Sequence, residues 1–270
     1  MVFTFFIYGL SFFILGMAIY IYPRTNTQLK LAGDLWLLSL FGVTHGVNEW
    51  LDMFILITPE HEAALRVVRM LILPGSFFFL VQFGINAIVR IKNGNAALKV
   101  IPLVLMAVWI IITGISSQRF LIGSISARYL LCIPGTLLTA YALILYLPDC
   151  NRIEHPGHLN HMVKLAAVSF LLYGFFSGVI VPDAWFFPAS VVNYTAFSER
   201  TGMPVQLLRT LCALSMAYAV TRILGIFEWE TIDSLRKAND NLEEMVRRRT
   251  ASLQAINSEL RDALEKAKKI

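Results

Sequence analysis

Charge is what this sequence has least of. Of its 270 residues, 15% are Asp, Glu, Lys or Arg and 57% are hydrophobic, and mean hydropathy is +0.64. Soluble domains carry about a quarter charged residues. The composition therefore excludes an ordinary soluble fold and predicts an integral membrane protein. Cysteine is also scarce. Cys132 and Cys212 fall in apolar runs and Cys150 in a loop, with no CxxC or zinc spacing, so no disulfide framework is expected. Catalytic signatures are missing as well: there is no P-loop and no GxSxG, and 61-HEAAL-65 fails H-E-x-x-H because residue 65 is leucine. No polar stretch is long enough for a catalytic domain. The first apolar run has neither a basic flank nor a small-residue cleavage site, and reads as a retained span. The net charge of +5 lies in loops and the C-terminal region, which suits anionic lipid better than nucleic acid.

Long apolar runs are what the chain has instead. A span needs roughly 20 apolar residues. Seven segments qualify, at about 4–22, 34–57, 67–89, 100–116, 128–147, 163–181 and 207–227. The expected fold class is all-α, a seven-transmembrane helical bundle over 1–228. From 229 to 270 the chain turns charged and helix-favouring. With Ile232 at position a, that series reads Ile232, Asn239, Val246, Leu253, Leu260, Ala267, and the d series reads Leu235, Leu242, Arg249, Ile256, Ala263, Ile270. This heptad frame predicts a parallel two-stranded coiled coil, with Asn239 setting its register. A homodimer through 232–270 follows, its two-fold axis along the membrane normal. The heptads are still running at Ile270, so an output domain is expected beyond it.

All eight lysines, Lys30, Lys92, Lys99, Lys164, Lys237, Lys266, Lys268 and Lys269, fall on one side if the rod is cytoplasmic. Seven spans then put the N-terminus outside. Arg69, Arg128 and Arg209 each open an inward-running span. The stretches 69-RMLILPGS-76 and 128-RYLLCIPGT-136 share an arginine, an apolar run, Pro-Gly and a hydroxyl. They suggest related hairpins after an extra first helix. Pro74 and Pro134 should kink their helices, with a nearby hydroxyl or water serving the freed carbonyl.

The second span carries 43-VTHGVNEWLDMF-54. His45, Glu49 and Asp52 share one helical stripe and Asn48 flanks it. Charge at that depth usually faces the protein interior and finds partners. Arg69, Arg128 and Arg209 are the candidates by depth. These seven residues are predicted to form either a salt-bridge network or a ligand chamber in the outer half of the bundle. An anionic or amphipathic small molecule or an ion could be clamped there by arginine forks. His45, Glu49 and Asp52 are also metal-donor types, and His45 could be a haem axial ligand. A proton or quinone site using His45 and Glu49 is a further alternative. The outer loop 182–209, with Trp185, Phe186, Phe187, Tyr194 and Phe197, reads as an interfacial anchor or a lid. The histidine-bearing stretch 154-EHPGHLNH-161 reads as a solvated turn ahead of a weaker metal alternative.

The segment 242-LEEMVRRRTASLQAINSELRDALEKAKK-269 resembles the signalling helix that precedes PAS, histidine-kinase or GGDEF domains in bacterial receptors. Upstream, 41-FGVTHGVNEWLDMF-54 and 202-GMPVQLLRTLCALSMAYAVTRILGIFEWE-230 resemble the multi-span sensor regions of bacterial hybrid histidine kinases. Together these segments cover roughly a quarter of the chain. The resemblance implies the sensing module of a dimeric two-component receptor in the bacterial inner membrane. Its kinase domains and response regulator would be partners outside this chain. A diguanylate cyclase receptor, or a transporter or redox membrane protein, is the alternative.

Overall fold

The computed structural model describes residues 1–22, 32–150 and 156–268. Lys30, Lys269 and Ile270, and Glu154 and His155 of the histidine stretch, lie outside the described residues. The elements are α1 (Val2–Ile21), α2 (Leu35–Ile57), α3 (Glu62–Lys92), α4 (Ile101–Ile115), α5 (Arg119–Ala127), α6 (Ile133–Cys150), α7 (Pro156–Tyr173), α8 (Tyr194–Thr201) and α9 (Val205–Lys268). Two π-helical turns, Arg128–Cys132 and Gly174–Val179, follow α5 and α7. Among the described residues the only β pairing is an isolated bridge, Val181 to Asn193. The chain divides into two units, Met1–Leu224 and Gly225–Ile270.

Each of the seven apolar runs is helical. Six helical segments are long and apolar enough to cross a membrane: Val2–Ile21, Pro59–Lys92, Ala96–Ile115, Arg119–Pro148, His158–Val179 and Val205–Gly225. The chain is thus a helical membrane protein. α2 is not one of the six, although it has 23 residues. His45, Asn48, Glu49 and Asp52 lower its hydropathy.

Packing follows chain order, α1 on α2, α2 on α3, α3 on α6 and α6 on α7. The first contact is unusually close because glycines line it. A Cβ added at Gly16 would sit 2.5 Å from the Val43 nitrogen and 2.7 Å from the Ser39 carbonyl oxygen. One at Gly42 would sit 2.7 Å from the Gly16 Cα, and one at Gly46 would sit 2.7 Å from the Gly9 oxygen. Small residues let helix backbones touch where lipid offers no hydrophobic drive for association. Gly42-x-x-x-Gly46 is the sequence signature of that seam. Inside the bundle, Phe12, Phe41, Phe77 and Phe170 are fully buried. Outward residues such as Leu103, Ile110, Ile111 and Leu211 are exposed apolar side chains, as a lipid-facing surface requires.

Three sequence expectations change. The helix expected from residue 128 begins nine residues earlier, at Arg119, so Arg128 lies well inside it rather than at its mouth. The hydroxyls after Pro74 and Pro134 do not serve the carbonyls that the prolines free, which are those of Met70 and Leu130. Ser76 Oγ donates to the Leu73 oxygen at 2.7 Å, and Thr136 Oγ1 donates to the Cys132 and Ile133 oxygens, both at 3.0 Å. Beside Pro134 the backbone instead widens into a π turn, with the Ile133 N–H reaching the Arg128 oxygen. Finally, Pro156 opens α7, so His158 and His161 stand exposed on its first turns rather than in a loop.

In the second unit the heptad residues present an uncovered stripe. Ile232, Leu235, Leu242, Val246, Leu253, Ile256 and Leu260 are each 52–65% exposed. Asn239 donates to Glu243 Oε1 at 3.2 Å along its own helix.

Candidate functional site

The buried end of α7 organises the site. A helix leaves its last carbonyls without intrahelical donors. Here the chain leaves the helix after Val179, and two arginines from elsewhere take those carbonyls. Arg209 Nε donates to the Phe176 oxygen at 2.9 Å and its Nη2 to the Ile180 oxygen at 2.8 Å. Arg128 Nη1 donates to both the Ser177 oxygen and Ser177 Oγ at 2.8 Å. Guanidiniums suit a helix C-terminus, where the dipole is negative. Both arginines are almost wholly buried. For Arg128 and Arg209 these carbonyls replace the expected carboxylate partners, whereas Arg69, the third candidate, does pair with a carboxylate. Asp52 pairs with Arg69, Oδ1 lying 2.5 Å from Nε, and Arg209 pairs with neither Glu49 nor Asp52.

Beside these groups lies a cavity of about 390 Å³. Glu49, Asp52, Arg69, Arg128 and Arg209, five of the seven residues singled out from sequence, line it. Pro182 and Tyr194 of the outer loop also line it, so that loop forms part of the wall. The loop is anchored by Val181, Ala184 and Ala189 packing with Ile125, while Trp185 and Phe187 remain exposed. Asn193 caps α8 by accepting from the Ala196 N–H at 2.8 Å. Tyr194 then meets Arg209, its hydroxyl 3.3 Å from both Nη1 and Nη2. Burial pushes the Tyr194 phenol up, but the Arg128 and Arg209 guanidiniums outweigh that and hold it below its ordinary value.

His45 and Asn48 do not line the cavity. Asn48 Nδ2 donates to Glu49 Oε1 at 3.0 Å. His45 is sealed in an aromatic box, with ring centroids 4.7 Å from Phe12, 5.1 Å from Phe77 and 5.3 Å from Phe41. Both its nitrogens are engaged. Ser76 spends its proton on the Leu73 carbonyl, so Ser76 Oγ accepts from His45 Nδ1 at 2.9 Å. The lone pair on His45 Nε2 then accepts from the Tyr173 hydroxyl at 2.6 Å. Tyr173 in turn accepts from Tyr8 and Ser177, each at 3.2 Å. The result is a directed chain, Arg128 to Ser177 to Tyr173 to His45 to Ser76. Glu49 Oε1 lies 3.4 Å from His45 Nε2.

This arrangement does not fit the metal or haem alternatives. Haem ligation needs a free imidazole lone pair and an open face, and His45 has neither. The proposed His45, Glu49 and Asp52 set does not converge. Asp52 is held by Arg69, Glu49 is held by Asn48, and no metal-binding group of three His, Cys, Asp or Glu occurs among the described residues. Sequence reasoning missed Tyr173, Ser177 and Tyr8, whose hydroxyls look ordinary in apolar runs, and gave Ser76 a role beside Pro74 rather than beside His45. It also missed Asp34, which accepts from Asn86 Nδ2 at 3.1 Å and lies 2.8 Å from Arg90 Nη2. A scan against protein-family models, a search of curated proteins and a search of solved structures each found no match.

Proposed function

We propose that this chain is the sensing module of a dimeric bacterial membrane receptor. A small molecule or ion occupies the cavity, and the change passes along α9 to an output domain, a histidine kinase in a two-component system. The observation that carries this reading is the cavity itself. Charged residues are costly within a membrane and mark functional pathways by default, and six of them line one space. Arg209 stands in the same α9 whose later heptads carry the uncovered apolar stripe. The stripe supports a second copy as partner, in a parallel coiled coil. On this reading α2 is a seventh span, its polar stripe turned toward α3 and the cavity. The N-terminus is then periplasmic, and the rod lies on the cytoplasmic side of the inner membrane.

Disulfide cross-linking in native membranes tests it. Leu253→Cys, at an a position, should cross-link into dimers, and Ala251→Cys, at f, should not. Arg69→Gln, a change in the cavity wall, should alter the Leu253→Cys rate. Equal cross-linking at both positions would refute the two-stranded rod. A rate indifferent to Arg69→Gln would refute the link between cavity and output.

A further inference from the structure

The cavity's occupant can be narrowed from charge and from unsatisfied donors, on the sensing reading above. Among the arginines in the wall, Arg66 pairs with Glu62 and Arg69 with Asp52. Arg128 and Arg209 hold carbonyls and hydroxyls, which neutralise no charge. Against these two cations stands a single further carboxylate, Glu49, held by Asn48. With all side chains in their ordinary charge states the cavity has a surplus of one positive charge.

Three wall residues also carry buried polar atoms without a hydrogen-bond partner, Arg69 Nε, Arg128 Nε and Ser124 Oγ. Of these, Arg69 Nε already faces Asp52 in an ion pair, which leaves Arg128 Nε and Ser124 Oγ for a ligand. Arg128 is 2% exposed and Ser124 is 7% exposed. A buried N–H or O–H left unmade is costly, more so on a charged group. Ser177 occupies only the Nη1 corner of the Arg128 fork. The Nε edge that remains is one that receives carboxylates through parallel N–H···O bonds. Ser124 precedes Arg128 by four residues, which sets it one turn away on the same helical face. One acceptor-only group with two oxygens could serve both donors. The rest of the wall is largely apolar, with Phe5, Ile55, Leu56, Leu73, Phe120 and Leu121. The volume of about 390 Å³ lies toward the lower end of small-molecule sites.

We propose that the cavity binds a carboxylate monoanion with a short apolar body, its carboxylate on the Nε edge of Arg128 and the hydroxyl of Ser124. The charge surplus disfavours a phosphate ester, which brings close to two negative charges. The apolar wall disfavours a bare inorganic anion.

The test uses the full chain in nanodiscs, with isothermal titration calorimetry and thermal unfolding. Its probes are octanoate, methyl octanoate, octyl phosphate, palmitate and chloride. Octanoate should bind one per chain. Methyl octanoate should bind at least about tenfold more weakly, the loss expected for a hydrogen bond to a charged group. Palmitate, drawn from the bilayer, should be the poorer ligand. Ser124→Ala should weaken octanoate several-fold while leaving the melting temperature of the ligand-free protein unlowered. That variant removes an unpartnered hydroxyl, so it keeps the test sound if Arg128→Gln fails to fold. Octanoate and its methyl ester binding alike would overturn the proposal. So would tighter binding of octyl phosphate or palmitate, stabilisation by chloride alone, or indifference to Ser124→Ala. If none of the probes binds while Arg69→Gln still alters cross-linking, the carboxylate is wrong and the sensing reading stands. If cross-linking ignores Arg69→Gln, the reading beneath both is lost.

Discussion

Tyr173→Phe should destabilise the bundle about three times as much as Tyr8→Phe. The reason is the number of bonds each hydroxyl makes. Tyr8 makes one side-chain hydrogen bond, to Tyr173. Tyr173 donates to His45 Nε2 and accepts from Tyr8 and Ser177. Side-chain hydrogen bonds in a helical membrane protein average about 0.6 kcal/mol and reach about 1.7 kcal/mol. Tyr8→Phe should therefore cost about 0.6 kcal/mol, and Tyr173→Phe about 2 kcal/mol. The 2.6 Å bond to His45 pushes the second figure upward. Both substitutions keep the ring, so the T-shaped contact of Tyr173 with Phe12, centroids 5.3 Å apart, survives. The assay is equilibrium unfolding in mixed micelles with increasing sodium dodecyl sulfate, followed by circular dichroism. The double variant adds a check. Tyr8→Phe in a Tyr173→Phe background should cost nothing further, because the Tyr8 hydroxyl has already lost its acceptor. A Tyr173→Phe cost no larger than that of Tyr8→Phe would refute the directed chain through His45.

The glycine seam gives a paired prediction. Gly16→Leu forces a side chain against the Val43 and Ser39 backbone and should cost at least about 1–3 kcal/mol of thermal stability. Gly75→Ala, in the interior of α3 with nothing within 4 Å, should instead stabilise by about 0.5–1 kcal/mol. Both are read from melting curves in detergent, and a neutral Gly16→Leu would refute the close approach. Tyr194 gives a pH prediction. Its folded phenol should ionise below the ordinary value of 10.0, so tyrosinate absorbance should show one early-titrating group that Tyr194→Phe removes. The sign follows from linkage. A lowered folded value adds stability that is fully present above the unfolded value and is lost as pH falls through the folded one. Tyr194→Phe should thus narrow the stability difference between alkaline and neutral pH, and an unchanged titration would refute the guanidinium field at Tyr194.

Much of the bundle is visible in the sequence because lipid imposes a simple requirement, an unbroken apolar run for each span. Boundaries are less visible where polar residues sit inside helices. Gln118 and Arg119 look like a loop, yet α5 begins there. The cavity wall was accessible for the same reason that charge is rare here. Glu49, Asp52, Arg69, Arg128 and Arg209 stand out against apolar neighbours, and depth alone brings them together. The pairing of Arg128 and Arg209 was not accessible, because it depends on where α7 ends. The carbonyls of Phe176, Ser177 and Ile180 have no signature in side-chain chemistry, yet they take the two arginines from the carboxylates. His45 shows the converse. Its residue type suggests a ligand, and only the positions of Ser76 and Tyr173, distant in sequence, reveal that both nitrogens are spent.

The seam between α1 and α2 has a consequence for biogenesis. α2 carries Asn48 and Glu49 near its middle and Asp52 toward its C-terminal end, and an Asp, Lys or Arg at a helix centre costs about 2.5–3.5 kcal/mol at the translocon. Such a segment is a poor passenger alone. α1 emerges from the ribosome first, is strongly apolar, and offers Gly9 and Gly16 to Gly42 and Gly46. If α2 is the seventh span proposed above, the two helices are suited to partition as one hairpin, with α1 as an escort in cis. A bulky residue in that seam would then act before folding is complete, by leaving α2 stranded at the membrane surface.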